Sequence, residues 1–311
     1  MKINCVVVTY NRVELLKENI EALKGQTYPL DKIFIIDNHS TDGTGDYLKQ
    51  FAGDKQMEII TLPENIGGAG GFSRGMKEAV LDGGDWVWVM DDDTIPTPTA
   101  LEELVKGTTV TDNVGYVCSK AVWTDGMVHK MNIPVFSNAY RSKMFLPMNY
   151  YTNIADVFLV QSASFVSLLV SAEAIREVGL PISEFFIWGD DTHFTSLVFK
   201  KGYTCLYADK SIVVHKTDTN YLSELTTAPA GAAWKFYYGT RNNAYLRRIK
   251  KGNYLSFLFS TLNAYRRSMR RINKRKGNDK AAFKKAVRKG TWDGLTFYPK
   301  TEYLPAKKGI D

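Results

Sequence analysis

Four short apolar runs, each ending in a cluster of polar residues, constrain this chain more than any other feature. They are Ile3 to Val8, Lys32 to Ile36, Met57 to Leu62 and Trp86 to Met90. Each is rich in branched or aromatic residues and too short for a buried helix, so each reads as a strand covered on both faces. Helical stretches lie between them. Val13, Leu16, Ile20 and Leu23 share one face of a helix over Val13 to Lys24, and Thr44 to Phe51 and Gly68 to Leu81 follow. This alternation predicts an α/β fold with a mainly parallel, doubly wound sheet. Ligands in such sheets sit beyond the carboxyl ends of the strands, where these polar clusters fall.

Farther along, Val114 to Cys118 and Ser164 to Val170 read as strands, with loop-like sequence rich in Asn, Tyr, Met and Pro between them, suited to facing an acceptor. Ala172 to Val178 and Thr192 to Lys201 read as helices, Tyr203 to Tyr207 and Ser211 to His215 as strands, and the chain is helical from Ala230. A boundary near residue 250 divides a domain at 1–250 from a helical, basic extension at 251–311. The 311 residues are 44% apolar, enough for a sizeable core and too much for a disordered chain. Cys5, Cys118 and Cys205 lie apart in apolar surroundings, as buried thiols of a reducing compartment do. The first apolar run is too short for a signal peptide, and no window is apolar enough to span a membrane. The protein is therefore expected in the cytoplasm.

The polar clusters suggest chemistry. Asp91-Asp92-Asp93 follows the fourth run, where three adjacent carboxylates repel unless a cation neutralises them. Alternation along an extended chain turns Asp91 and Asp93 the same way, as two hard oxygen ligands for Mg or Mn. His215 ends another apolar run, and a neutral imidazole is a normal partner for such an ion. Asp37-Asn38-His39-Ser40-Thr41-Asp42 ends the second run and suits either a ligand edge or an ordinary turn. Glu64-Asn65-Ile66-Gly67-Gly68-Ala69-Gly70-Gly71 opens a helix, where glycines permit close approach and a helix start favours anions. Tight helix–sheet packing explains the same glycines. In Trp188-Gly189-Asp190-Asp191-Thr192-His193, one carboxylate can cap the helix and another can take a proton from a hydroxyl, with aromatics beside it for a sugar.

These motifs occur in the order of the family-2 glycosyltransferases of the GT-A fold, which the chain resembles over about residues 3–245. Within them it looks most like bacterial galactofuranosyl- and rhamnosyltransferases. The resemblance implies that Thr9, Asn11, Arg12, Asp37, Asn65, Gly68, Arg74 and Asp92 form the donor side, with Asp37 on the base. It implies that Asp91, Asp93 and His215 surround Mn or Mg. Asp191 would be the general base, and Asp190, Trp188 and His193 would serve the acceptor. The galactofuranosyltransferases carry Trp directly before the acidic pair, whereas Gly189 intervenes here. The recurrent segment Tyr237 to Asn243 offers Arg241 to the diphosphate. The implied reaction is a single, inverting displacement from a nucleotide-diphosphate sugar, UDP favoured. Its acceptor would be a glycan or a polyprenyl-diphosphate-linked sugar in cell-surface polysaccharide synthesis.

Two other classes fit part of the pattern. A non-catalytic nucleotide-sugar-binding or scaffolding protein needs only the first three clusters, but Asp190, Asp191 and His215 argue for catalysis. A nucleotidyltransferase would carry a basic glycine-rich loop after the first strand, where Thr9-Tyr10-Asn11 stands. Residues 241–290 hold 17 Lys and Arg against the single acid Asp279, while the first 240 residues are net acidic. No recognised nucleic-acid module accompanies that charge. Leu255, Leu258, Leu262, Tyr265 and Met269 fall on one helical face ahead of a run of arginines. Such a helix suits an anionic membrane surface, at the inner face of the plasma membrane. The same stripe also suits packing on the catalytic domain or a second subunit.

Overall fold

The computed structural model describes residues 1–136, 156–220 and 224–305. Part of the stretch expected to face an acceptor, 137–155, lies outside the described residues. Strands β1 (Ile3–Thr9), β2 (Lys32–Asp37), β3 (Met57–Thr61) and β4 (Trp86–Asp91) alternate with helices α1 (Val13–Lys24), α2 (Thr44–Leu48) and α3 (Gly67–Leu81). Then come β5 (Thr94–Pro96), α4 (Ala100–Thr108), β6 (Val114–Val122), β7 (Val135–Phe136), β8 (Val157–Ser162), β9 (Leu168–Ser171), α5 (Ala172–Val178), α6 (Asp190–Lys200) and β10 (Thr204–His215). Three helices close the chain: α7 (Ala233–Lys251), α8 (Tyr254–Lys274) and α9 (Lys280–Gly294).

All ten strands join one mixed sheet in the order β3-β2-β1-β4-β9-β6-β10-β8-β7, with β5 added beside β10. Pairing is parallel from β3 to β4 and between β6 and β10. It is antiparallel where β5, β7, β8 and β9 enter. Each strand residue faces the opposite side from the next, so the runs bury both faces at once. Val6, Val8, Phe34 and Ile36 pack with α3, α5 and α6 on one face, and Ile3, Cys5, Val7, Ile33 and Ile35 with α1 and α4 on the other.

Two departures from the sequence expectation have local causes. The single strand β10 replaces two, because a register shift between Ala208 and Ile212 carries the polar Asp209-Lys210 pair past β6. The strand expected from Ser164 begins only at Leu168, because Ser167 takes a positive φ of 63°.

The C-terminal helices pack onto the rest of the protein. Leu225 and Phe236 share a core with Ile272, Phe283 and Val287, so residues on both sides of position 250 contribute to one cluster. Arg275, one of the basic residues, is buried there. It pairs with Asp279, donates to the carbonyls of Leu225 and Ala228, and stacks on Phe283. Beyond α9 the chain returns to the sheet. The Leu180 amide donates to the Glu302 carbonyl, and Leu304 enters the core under α3 and α5.

Candidate active site

The carboxyl ends of β1, β2 and β4 meet at one rim. Val8 lies beside Asp91 and Thr9 beside Asp37 in the sheet register. β5 turns the chain after Asp93 and pairs Thr94 with His215, which brings the end of β10 to the same rim. Ligand atoms of Asp91, Asp93 and His215 all lie within 4.8 Å of one another. The middle aspartate faces away. Asp92 accepts from the Thr9 hydroxyl at 2.7 Å and the Tyr10 amide at 3.3 Å, and meets Arg12 at 3.2 Å. This is the alternation expected of an extended chain. It commits Asp92 and Thr9 to each other rather than leaving them open to a ligand.

Burial raises the Asp91 carboxyl above its usual range, reinforced by Asp93. Burial acts on Asp93 too, but His215 and Arg12 outweigh it and hold that carboxyl low. Asp93 Oδ2 takes the Arg12 guanidinium at 2.5 Å, whereas its buried Oδ1 has no hydrogen-bond donor. His215 Nε2 stands 3.2 Å from that oxygen. Asn132 fixes the tautomer of the ring: its Nδ2 donates to Ser164, so its Oδ1 accepts from His215 Nδ1–H at 2.8 Å. That leaves Nε2 as the ring atom that meets Asp93 Oδ1. Two carboxylates and an imidazole converging within 4.8 Å form a donor set that suits a divalent ion. The residues therefore fit the ion expected from the sequence.

The other residues expected on the donor side bind one another across the rim or pair within their own elements. Asn11, at a φ of 54°, accepts from the Thr41 amide, and its own amide donates to Ser40. Asp37, 1% exposed, accepts from the Ser40 amide. Asn65 accepts from the Gly67 amide. Arg74 points along α3 to Glu78 at 2.7 Å. Gly68 faces open space, while side chains at Gly71 and Gly75 would collide with Val8 and Val6. Tight helix–sheet packing therefore accounts for the latter glycines. Asn38 of the second polar cluster and Lys235, absent from the sequence reading, also serve this rim. Asn38 joins the second and third strand ends by accepting from the Ile66 amide and donating to the Gly67 carbonyl. Lys235, at the start of α7, lies close enough to feel Asp93 and Asp91, yet burial and Arg12 hold its ammonium below the usual value.

The loop before Asp190-Asp191 is held from two sides. Phe186, Trp188 and Gly189 all take positive φ. The Phe186 carbonyl accepts from the Ala69 amide at the start of α3, so that amide is taken by protein and not left for an anion. Gly67, at a φ of 78°, leaves room for Phe186. From α7, the buried Asn242 donates through Nδ2 to the carbonyls of Phe185, Ile187 and Trp188 at 2.9, 3.1 and 2.9 Å. Arg241, expected at the diphosphate, instead donates to the carbonyls of Glu184 and Phe185 and stacks on Phe297. His193 packs between Phe185 and Tyr245, and burial lowers its imidazole to about 4. Trp188 turns its ring against Phe236 and Gly239.

The acidic pair itself opens α6. Asp190 is buried and raised far above the carboxylate range by burial and by Asp191, and it also senses Asp91. Asp191 is half-buried. Burial raises it to about 6, although its Oδ1 accepts from the Thr192 amide at 2.6 Å. A carboxylate with that affinity is suited to taking a proton near neutrality.

With this geometry in place, comparison with known proteins is specific. The sequence model of Glycosyl transferase family 2 matches residues 5–167, more than half of the chain, and the protein belongs to that family. It is 24% identical over 258 residues to galactofuranosyltransferase GlfT1 of Mycolicibacterium smegmatis, covering 78% of this chain and 81% of that one. Its fold matches the Pyrobaculum calidifontis mannosyltransferase PcManGT, solved with GDP-Man and Mn2+, at a TM-score of 0.56 and 14% identity over 95% and 87% of the two chains. The 1–349 fragment of S. aureus TarS matches at 0.56 and 15% identity over the whole of both chains, and the chain spans 40% of a longer TarS.

Proposed function

We propose that this glycosyltransferase moves a hexose, galactofuranose first among the candidates, from a UDP-linked donor with inversion at the anomeric carbon. The acceptor is a glycan or a polyprenyl-diphosphate-linked sugar of cell-surface polysaccharide synthesis. The observation that carries the reading is the buried, undonated Asp93 Oδ1 facing His215 Nε2, beside Asp91. A Mn or Mg ion held by these three would neutralise charge building on the leaving diphosphate. Arg12 and Lys235 add fixed positive charge at the same rim. Asp191 removes the proton from the acceptor hydroxyl as it attacks, and Asp190 stays protonated beside it. Galactofuranose is favoured by the similarity to GlfT1.

Among the described residues no helix is long and apolar enough to cross a membrane. A lipid-linked acceptor is reached instead through the outward face of α8. There Leu255, Phe259 and Leu262 are 79, 67 and 45% exposed, and Arg266 and Arg270 continue the face. This surface differs from the stripe expected from sequence, because Tyr265 and Met269 pack inward on the helical core. We place the enzyme at the inner face of the plasma membrane on that basis. The test is a donor screen with Mn, scoring transfer from a panel of nucleotide sugars. Hydrolysis or transfer from none of them would defeat the reading.

A further inference from the structure

The three C-terminal helices do not close on each other evenly. α9 nests against α7 at Gly290 and Gly294, where added side chains would strike the backbone of Tyr237 and Arg241 and the Ala244 side chain. α8 stands farther off, and a cavity of about 220 Å³ opens between it and α7. Helix faces that meet inside a protein are normally apolar. Here Phe236 on α7 and Ala264 and Tyr265 on α8 supply an apolar part, but Thr240, Asn243 and Arg247 on α7 and Thr261, Ser268 and Arg271 on α8 also face the cavity. Thr261 is 4% exposed, and its Oγ1 has no hydrogen-bond partner, a cost that a buried hydroxyl normally avoids. Trp188 forms the wall nearest the acidic pair.

The charge in this groove is one-sided. Among the described residues, the arginines with ion pairs are Arg12, Arg74 and Arg275. Arg247, Arg267 and Arg271 have none. Burial and the nearby Arg267 push the Arg247 guanidinium below its ordinary value. Against them the lining offers one carboxylate, Glu224, which is exposed and accepts from the Thr226 hydroxyl at 3.3 Å. Clustered guanidiniums beside unused hydroxyls form a donor set for a tetrahedral oxyanion, which Arg binds through paired N–H groups.

We infer that the groove between α7 and α8 binds a phosphate or diphosphate group, with Arg247 and Arg271 as its charged ligands and Thr261 as a hydroxyl donor. Its wall at Trp188 adjoins the loop that carries Asp191, so the anion belongs to the acceptor and fixes how far the attacking hydroxyl lies from it. That last step rests on the transferase reading above, whereas the binding itself does not.

The test is calorimetric titration of the full chain in EDTA with no donor present. The probes are inorganic phosphate, geranyl phosphate and geraniol. Phosphate-bearing probes should bind and geraniol should not. Arg247→Gln and Arg271→Gln should each weaken binding about tenfold or more, with unfolding midpoints and UDP–Mn affinity unchanged. Tighter binding of geranyl phosphate than of inorganic phosphate marks a lipid-linked source, and equal binding marks a free phosphate. Thr261→Val separates the hydroxyl from the charge and should weaken binding by a smaller factor. No binding at millimolar probe, wild-type binding by both arginine variants, or equal binding of geraniol would overturn the inference. Because no sugar is transferred, a failed donor screen leaves this result readable, and the reverse also holds.

Discussion

Replacing Asn242 by Leu isolates the clamp on the acidic loop. The side chain is 1% exposed and Leu has its branched outline with somewhat more bulk, so the change removes donors without opening a cavity. Three carbonyls lose Nδ2. Phe185 O keeps Arg241 at 3.3 Å, but Ile187 O and Trp188 O lose the donor that anchors them. Two lost bonds at about 1 kcal/mol each, plus a penalty of about 1–2 kcal/mol for any carbonyl left dry, predict destabilisation of about 2–4 kcal/mol. The loop also loses its restraint against the positive φ values at Phe186 and Trp188. Displacement of Asp191 by about 1 Å should cut transfer roughly 10²-fold. Urea unfolding and steady-state transfer read the two effects, and calorimetry with UDP and Mn reads the donor site, which should hold within a few-fold. If UDP affinity fell in step with transfer, Asn242 would act through the donor side. If neither stability nor turnover moved, the clamp reasoning would be wrong.

Asp93→Ala should abolish transfer, and wild-type transfer should stop in excess EDTA and return with Mn or Mg; full turnover in chelator would end the metal reading. Asp191→Asn should leave UDP binding within a few-fold and lower transfer roughly 10²-fold or more, which single-turnover kinetics would separate from lost affinity. Because burial raises Asp191 to about 6, the base is protonated below that pH. The transfer rate should therefore fall about tenfold per pH unit on the acid side, and a flat profile from pH 7 to 5 would rule Asp191 out as the base. Replacing Leu255, Phe259 and Leu262 together by Ser should abolish flotation with anionic vesicles at low salt while leaving the unfolding midpoint unchanged; undiminished flotation would refute a membrane role for this face.

The first half of the fold was legible because a continuous Val- and Ile-rich run has one economical solution, a strand buried on both faces. The metal-side cluster was legible for a related reason: alternation alone separates Asp91 and Asp93 from Asp92. What periodicity could not supply was the neighbour. α8 carries apolar residues on more than one face, and only packing decides that Phe257 and Ile272 go inward while Leu255 and Phe259 face out. The same limit hid Lys235 and Asn242, whose positions depend on where α7 docks. It also hid the partners of Arg241, offered to a diphosphate only through its recurrent segment, and of His193, which stands beside Asp190-Asp191 in sequence but packs between Phe185 and Tyr245.

The contact between the Phe186 carbonyl and the Ala69 amide, with Gly67 tucked beneath, bears on how such enzymes diversify. Here the loop before Asp190-Asp191 is stitched to the start of α3, and to α7 behind it. A loop transplanted from a relative would arrive without its counterparts and lose its shape. The unit of exchange is therefore larger than the loop: it includes the glycine-rich start of α3 and the Gly239–Asn242 face of α7. Chimeras cut at those seams should keep their turns, whereas chimeras cut at Phe185 and Asp190 should not.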